Sequence, residues 1–308
     1  MTWLIYIGIT LIVDALRIFI DNYVSDVYFK GRGAVSQKLF YGYSVSIVSI
    51  IILAITGFDF SSFTPTLLTA LIIAGIISSI SGIFYFKALE LDDSTNLGIF
   101  IQLAPVLYLI LGWLFLGETI SPIQLISFLI IISAPLLIIF TTRKRSRKIQ
   151  IRAALYSSLY VLIAVISNLI FVKANTTNAS FITITAILLI SKSITNLIIV
   201  YSVPKWRRRY HSVVKHSKGK IFRPMLTNTL IGTTKEFVYR AALVTAPTVA
   251  LASAVSDSSG PIVIFFMGII LTIIWPRFGR EKLNRKTVLV HVIAIALVVT
   301  GVIILQNV

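Results

Sequence analysis

The stretch PIQLISFLIIISAPLLIIFTTRKRSRKIQIR, residues 122–152, decides the fold. Pro122 to Thr142 holds no charged side chain, and as a helix rising 1.5 Å per residue it covers a hydrocarbon core of about 30 Å. Arg143, Lys144, Arg145, Arg147 and Lys148 then follow almost without interruption, a charge density that belongs in water and not in lipid. A second apolar run opens at once after Arg152. Two bilayer-length runs hinged on a basic stop describe a chain that enters and leaves a membrane repeatedly.

The whole composition agrees. Of 308 residues 57% are hydrophobic and only 13% charged, where a soluble chain has about 45–50% and 25%; the mean hydropathy is +0.94. These values exclude a disordered chain, a secreted disulfide scaffold and a cytosolic enzyme. Cysteine is absent, so disulfides, thiol catalysis and cysteine metal sites are excluded. There is no phosphate loop, no metal-ligand cluster and no nucleophile–base spacing, so no cofactor and no metal are expected. A net charge of +17 would suit nucleic acid in a soluble protein. In a membrane chain it reads as cytoplasmic loop charge instead, and nucleic acid is not expected as a partner.

Ten apolar runs can be marked, at Trp3–Phe29, Leu39–Gly57, Pro65–Ala88, Thr95–Leu116, Pro122–Thr142, Arg152–Val172, Ala179–Val203, Met225–Ala246, Thr248–Trp275 and Thr287–Gln306. The eighth and ninth are divided only by Ala246-Pro247-Thr248. The first carries charges and has neither a basic leader nor a small-residue cleavage site, so it reads as a retained helix. Between the seventh and eighth, Trp206-Arg207-Arg208-Arg209-Tyr210 suits a short basic helix at the interface, on anionic lipid headgroups. Twenty-three of the 28 lysines and arginines fall in the connections that follow odd-numbered runs, while the opposite side has Lys173 alone. That bias assigns the odd connections to the cytoplasm of a plasma or inner membrane and both termini to the other side.

The basic linker at 143–151 divides ten runs into five and five, 1–142 and 152–308. An odd number per half forces the halves into opposite orientations. The expected fold is therefore an all-α membrane protein, ten transmembrane helices as two inverted five-helix repeats around a central cavity. Phe84-Tyr85-Phe86-Lys87-Ala88-Leu89 has an echo in Phe237-Val238-Tyr239-Arg240-Ala241-Ala242, and Pro105 and Pro261 each follow in the next run.

Tyr85, Ala88-Leu89, Ser94-Thr95, Pro105, Leu116-Gly117-Glu118 and Gln124 form a succession of small residues, a mid-run proline and a glutamate opening the last helix of the half. With these residues the chain resembles the drug/metabolite transporter superfamily, and within it the EamA-like ten-helix members. The second half departs from the pattern: Pro261 to Glu281 spans 20 residues against 13 from Pro105 to Glu118. Ten-helix members of this family also usually have cytoplasmic termini, opposite to the charge count. The resemblance implies a carrier that moves small organic metabolites through a cavity between the halves. It also implies that the last helix of each half stands outside the pore, where it supports packing or a homodimer.

Ionisable groups inside the runs are the candidate site, because each costs about 2.5–3.5 kcal/mol at mid-bilayer unless paired or wet. Asp14, Arg17 and Asp21 share one helical face, with the cation bracketed by carboxylates. Glu236 and Arg240 are spaced to pair with each other; Lys235 points about 100° away and needs a distant anion. Lys192, among Ser191, Ser193, Thr195 and Asn196, reads as an isolated cation. Asp257 precedes Gly260-Pro261, where a helix break would free carbonyls for a ligand. Asn168, Gln102 and Thr185 serve as supporting polar groups or interhelical hydrogen bonds, and His291 as a packing histidine.

This inventory of both signs points to secondary transport of a small polar or zwitterionic metabolite, such as an amino acid, by alternating access. The alternatives are flipping of a lipid or lipid-linked sugar, a membrane-embedded lipid-modifying enzyme, and a structural or receptor role. Orientation is directly testable because the chain lacks cysteine. A cysteine placed at Thr2 is expected to react with an impermeant maleimide on whole cells, and cysteines at Ser146 and Ser217 to be shielded. Labelling of Ser146 without Thr2 would invert the assignment.

Overall fold

The computed structural model describes residues 2–29, 38–57, 61–91, 100, 102–142, 151–274 and 285–306. Among them every regular element is helical: α1 Thr2–Val24, closed by a π-helical turn at Ser25–Phe29, α2 Lys38–Thr56, α3 Pro65–Leu91, α4 Leu103–Leu116 and α5 Pro122–Thr142. The chain continues with α6 Ile151–Ala174, α7 Phe181–Ser202, α8 Pro204–His216, α9 Phe222–Thr245, α10 Val249–Ile274 and α11 Arg285–Gln306. The linker expected at 143–151 lies, up to residue 150, outside the described residues.

Among the described residues, six helices are long and apolar enough to cross a membrane: α1, α3, α6, α7, α10 and α11. Shorter apolar stretches occupy α2, α4 and α5, at Phe40–Thr56, Leu103–Leu116 and Pro122–Ile138. The eighth apolar run becomes α9, where Lys235, Glu236 and Arg240 interrupt the hydropathy. The fourth run, expected from Thr95, is described as a regular helix only from Leu103. The break expected at Gly260-Pro261 does not occur. Helix α10 runs through Pro261 to Ile274, and the proline, lacking an N–H, frees only the Asp257 carbonyl, which accepts from Gln102 Nε2 at 3.4 Å. Only the Ala246-Pro247-Thr248 division separates α9 from α10.

The bundle is apolar on its outside. Ile5, Ile12, Ile47, Ile55, Trp113, Leu114, Phe115 and Ile273 are all exposed, an arrangement that suits hydrocarbon and not water. Inside, α3 packs on α6 and α7, α1 on α9 and α10, α2 on α7, α5 on α11, and α4 on α6 and α10. Lipid tails are as apolar as leucine, so burial alone cannot drive these contacts; close approach and hydrogen bonds do. At Gly75 a Cβ would lie 2.6 Å from Ser191 Cβ and 2.8 Å from the Leu188 carbonyl, so only glycine lets α3 and α7 meet there. Ser191 and Ser167 donate across the two contacts, to the carbonyls of Ile72 and Ala74, each at 2.8 Å. Gly301 serves α11 in the same way, where a Cβ would stand 2.5 Å from Ile131 Cγ1 on α5.

The Leu116-Gly117-Glu118 motif has a physical explanation. Gly117 adopts φ 70°, a left-handed conformation that glycine reaches without penalty, and the Glu118 amide donates back to Gly112 O at 3.3 Å, closing α4. Glu118 does not open the next helix, as the sequence pattern had implied. Its carboxylate crosses to α10 and accepts from the Val249 amide at 3.1 Å with both oxygens, capping that helix. The start of α5 is held by Ser121 and Gln124 instead. The Gln124 amide donates to Ser121 Oγ at 3.3 Å and the Ser121 amide to Gln124 Oε1 at 3.0 Å, a reciprocal capping box. Burial pushes the Glu118 carboxyl above its ordinary range, while the Val249 amide draws it back. Glu118→Ala is expected to cost about 1 kcal/mol by orphaning the first amide of α10. Glu118→Gln, which keeps an acceptor without a charge, should cost less. Thermal unfolding in detergent checks both.

Candidate functional site

The first polar network lies between α1 and α9, which run antiparallel. Asp14 Oδ1 is 3.2 Å from Lys235 Nζ, Arg17 Cδ lies 3.5 Å from where a Cβ on Gly232 would be, and Asp21 Oδ1 accepts from Asn228 Nδ2 at 2.7 Å. In each pair the two residue numbers add to 249, as antiparallel helices in constant register require. Asn228, Gly232, Lys235 and Tyr239 recur at helical spacing and form the facing stripe of α9. Gly232 has no side chain, and the long Arg17 side chain fills the room this leaves.

Arg17 is bracketed as its spacing implied, with Nη1 3.8 Å from Asp14 Oδ1 and Nε 3.6 Å from Asp21 Oδ2. Those separations are long for charged hydrogen bonds. Its buried Nε has no hydrogen-bond partner, and its guanidinium lies 5.7 Å from the centre of the Tyr41 ring. Tyr41 in turn donates to Asp21 Oδ1 and accepts from Asn228 at 2.6 Å. Asp21 is thus well held by neutral donors, whereas Arg17 keeps hydrogen-bonding capacity to spare. Lys235, whose anion could not be chosen from sequence, meets Asp14 and lies 5.9 Å from the Tyr239 ring.

The second network joins α7 to α9. Lys192 is not isolated, contrary to the sequence reading: its Nζ donates to Glu236 Oε1 at 3.0 Å. Glu236 Oε2 receives Arg240 Nη2 at 3.3 Å, so one carboxylate serves two cations. Arg240 is only 1% exposed and stacks its guanidinium 4.5 Å from the Phe171 ring. By contrast the side chains of Asp14, Arg17, Asp21, Lys192, Lys235 and Glu236 retain 23–32% of their surface. None of them is fully enclosed, while Arg240 backs them from within.

The remaining candidates lie in the same region. Asp257 Oδ2 accepts from Ser253 Oγ at 2.6 Å, and no cation pairs with it among the described residues. Gln102, buried, donates to the Asp257 backbone carbonyl at 3.4 Å. Asn168 on α6 donates to Tyr108 on α4 at 2.7 Å. Thr185 bonds back to Phe181 O at 2.8 Å within α7, so it points no hydroxyl at a ligand. His291 stacks on Phe265 at 3.9 Å, between α11 and α10. Among the described residues no cluster of His, Asp and Glu is placed to hold a metal.

Sequence reasoning missed Lys38, which was counted with the cytoplasmic loop cations. The structure buries it to 4% exposure at the start of α2, where its Nζ donates to Ser79 O at 2.7 Å. Gly82 makes the room, since a Cβ there would stand 2.5 Å from Nζ. Ser79 Oγ continues to Asn196 Oδ1 at 2.7 Å, one helical turn from Lys192. Tyr41 and Asn228 were also missed, although the stripe of Asn228, Gly232, Lys235 and Tyr239 is a readable signal. Removing one partner from a buried ion pair typically costs about 3–5 kcal/mol. Glu236→Gln, which strands both Lys192 and Arg240, is therefore expected to lower stability more than Lys235→Met, which frees only Asp14. Thermal melting of the two variants in one detergent checks the order.

No curated protein matches the chain. A crystal structure of another protein superposes with a TM-score of 0.64 at 15% identity, covering 99% of this chain and 96% of its own, a likeness of fold alone. Residues 35–140 match the model of the EamA-like transporter family, which encloses the stretch on which the sequence resemblance rests. Together with six membrane-length apolar helices, that match points to an integral membrane protein, similar through residues 35–140 to transporters of the EamA-like family.

Proposed function

We propose that this protein is a carrier of a small zwitterionic or polar metabolite, such as an amino acid, working by alternating access. The observation that carries the reading is the mixed-sign cluster in the bundle interior. Five cations, Arg17, Lys38, Lys192, Lys235 and Arg240, accompany four carboxylates, Asp14, Asp21, Glu236 and Asp257. A ligand carboxylate would offset the surplus cation, and Arg17 offers it unused donors in a planar fork. A ligand amine would find Asp257, the carboxylate with a hydroxyl and no cation beside it. Such groups inside an apolar bundle are expensive and mark a pathway more often than a scaffold.

The pairing of helices supports two five-helix repeats, 1–142 and 152–308, as the moving parts. Exchanging each helix for its equivalent five spans away turns the α3–α6 contact into α9–α1, and leaves α2–α7, α4–α10 and α5–α11 unchanged. That is the symmetry expected of inverted repeats, whose interface carries the substrate site. In this reading the basic connections face the cytoplasm and α8 rests on anionic headgroups. Tyr210 and Val213 turn inward there, while Arg207, Arg208 and Lys215 face out. Helices α5 and α11, paired at the edge, are free to support a homodimer.

Saturable uptake of a radiolabelled amino acid into proteoliposomes, without scrambling of fluorescent lipid in the same vesicles, is the expected result. Scrambling without uptake would replace the carrier by a lipid flippase. Arg17→Lys keeps the charge and loses the fork, and is expected to weaken binding by about 1.5–3 kcal/mol per lost charged hydrogen bond. Asp14→Asn removes the charge that holds Lys235 and is expected to weaken binding as well. Unchanged affinity in both variants, on folded protein, would remove α1 from the site.

A further inference from the structure

A cavity of about 530 Å³ lies apart from the ion networks, in a groove between the ends of α3, α4 and α6. Its walls are apolar, with Leu67, Ala70, Leu116 and Leu169 inside and Lys173 at the rim. Phe115 borders it and is 61% exposed, so the groove opens sideways to whatever surrounds the bundle. Helix α3 begins at this face while α4 and α6 end there. The described residues of the connections on the same face, 57, 61–64, 117–121, 175–180 and 246–248, include no lysine or arginine. Lys173, in the last turn of α6 and exposed, is therefore the cation of this face, and no carboxylate pairs with it among the described residues.

Thr64, Thr66, Thr176 and Thr177 line the groove at the level of the helix ends, but between Leu67, Ala70, Leu116 and Leu169 the slot offers water no hydrogen bonds. Hydrocarbon fills it. A single ammonium at the level of the helix ends, with no carboxylate paired to it among the described residues, sits where the phosphates of a lipid leaflet run. We infer that the groove holds one acidic glycerophospholipid, with an acyl chain in the slot and its phosphate against Lys173. Zwitterionic lipids offer the same chain, but their own headgroup cation competes with Lys173 for the phosphate. The site is independent of the transport reading, since none of its residues belongs to the ion networks.

The test is native mass spectrometry of the full chain released from nanodiscs holding equal phosphatidylglycerol and phosphatidylcholine. The expected result is one retained lipid, with phosphatidylglycerol preferred about fivefold, the effect of one basic residue near an anionic surface. Lys173→Ala should abolish the preference. Ala70→Phe should fill the slot and abolish retention of either lipid, with the melting temperature kept. Ile170→Phe fills the same slot from α6 if the first variant fails to fold. A protein that retains no lipid, or retention and preference that persist unchanged in Lys173→Ala and in the folded filling variant, would overturn the assignment. So would loss of uptake on filling a groove that carries no lipid, because the groove would then be a substrate passage.

Discussion

A charge that leaves water for the interior of an apolar bundle must meet a counter-charge or a hydrogen-bond partner there, and this requirement governs how α1 and α9 lie. Asp14, Arg17 and Asp21 descend one face of α1; Lys235, the vacancy at Gly232, and Asn228 ascend the facing stripe of α9. Each α1 group meets a complement at the same depth. Were any of them left alone, the desolvation penalty would exceed what packing in lipid can return. Glu236 extends the arrangement to α7 through Lys192 and inward to Arg240. The polar interior thus connects three helices that share little apolar incentive to associate in a membrane.

Around this interior, association depends on smallness. Gly75 and Gly301 allow backbone approach that no other residue would permit, and Ser167 and Ser191 add hydrogen bonds to main-chain carbonyls across the same seams. Capping supplies the remaining long-range tie. Glu118, from the connection after α4, closes the N-terminus of α10 in the other half of the sequence. Residues whose spacing suggests local motifs can therefore serve partners more than a hundred positions away.

Most of the helix pattern was legible because apolar runs and their breaks are one-dimensional signals. The Ala246-Pro247-Thr248 division, the helix at Pro204–His216 and the Asp14–Arg17–Asp21 bracket all rest on spacing within one segment. What was not legible depended on partners from elsewhere. Lys192 looked alone because Glu236 lies 44 residues away. Lys38 looked like a loop residue because Ser79 and Gly82, which receive it, are on another helix. Pro261 signals a break in sequence, yet α10 continues through it, since a proline removes only one intrahelical bond that neighbours can replace in a packed bundle. Lys235, Glu236 and Arg240 lower the hydropathy of α9, yet the apolar residues on either side still mark it as a run, at Met225–Ala246.

The constant register between α1 and α9 restricts how the two helices can move. A slide of one turn, about 5.4 Å, would carry Lys235 from Asp14 toward Arg17 and set cation against cation, while Asp14 lost its partner. Sliding in the opposite sense would take Asn228 away from Asp21 and leave that carboxylate with Tyr41 as its remaining donor. The charge order along α1, negative, positive, negative, works like the teeth of a rack that engages at one position only. Any transition that exposes the interior to alternate sides must therefore carry α1 and α9 together as one rigid beam, one helix from each half of the chain, and take up its displacement at other seams.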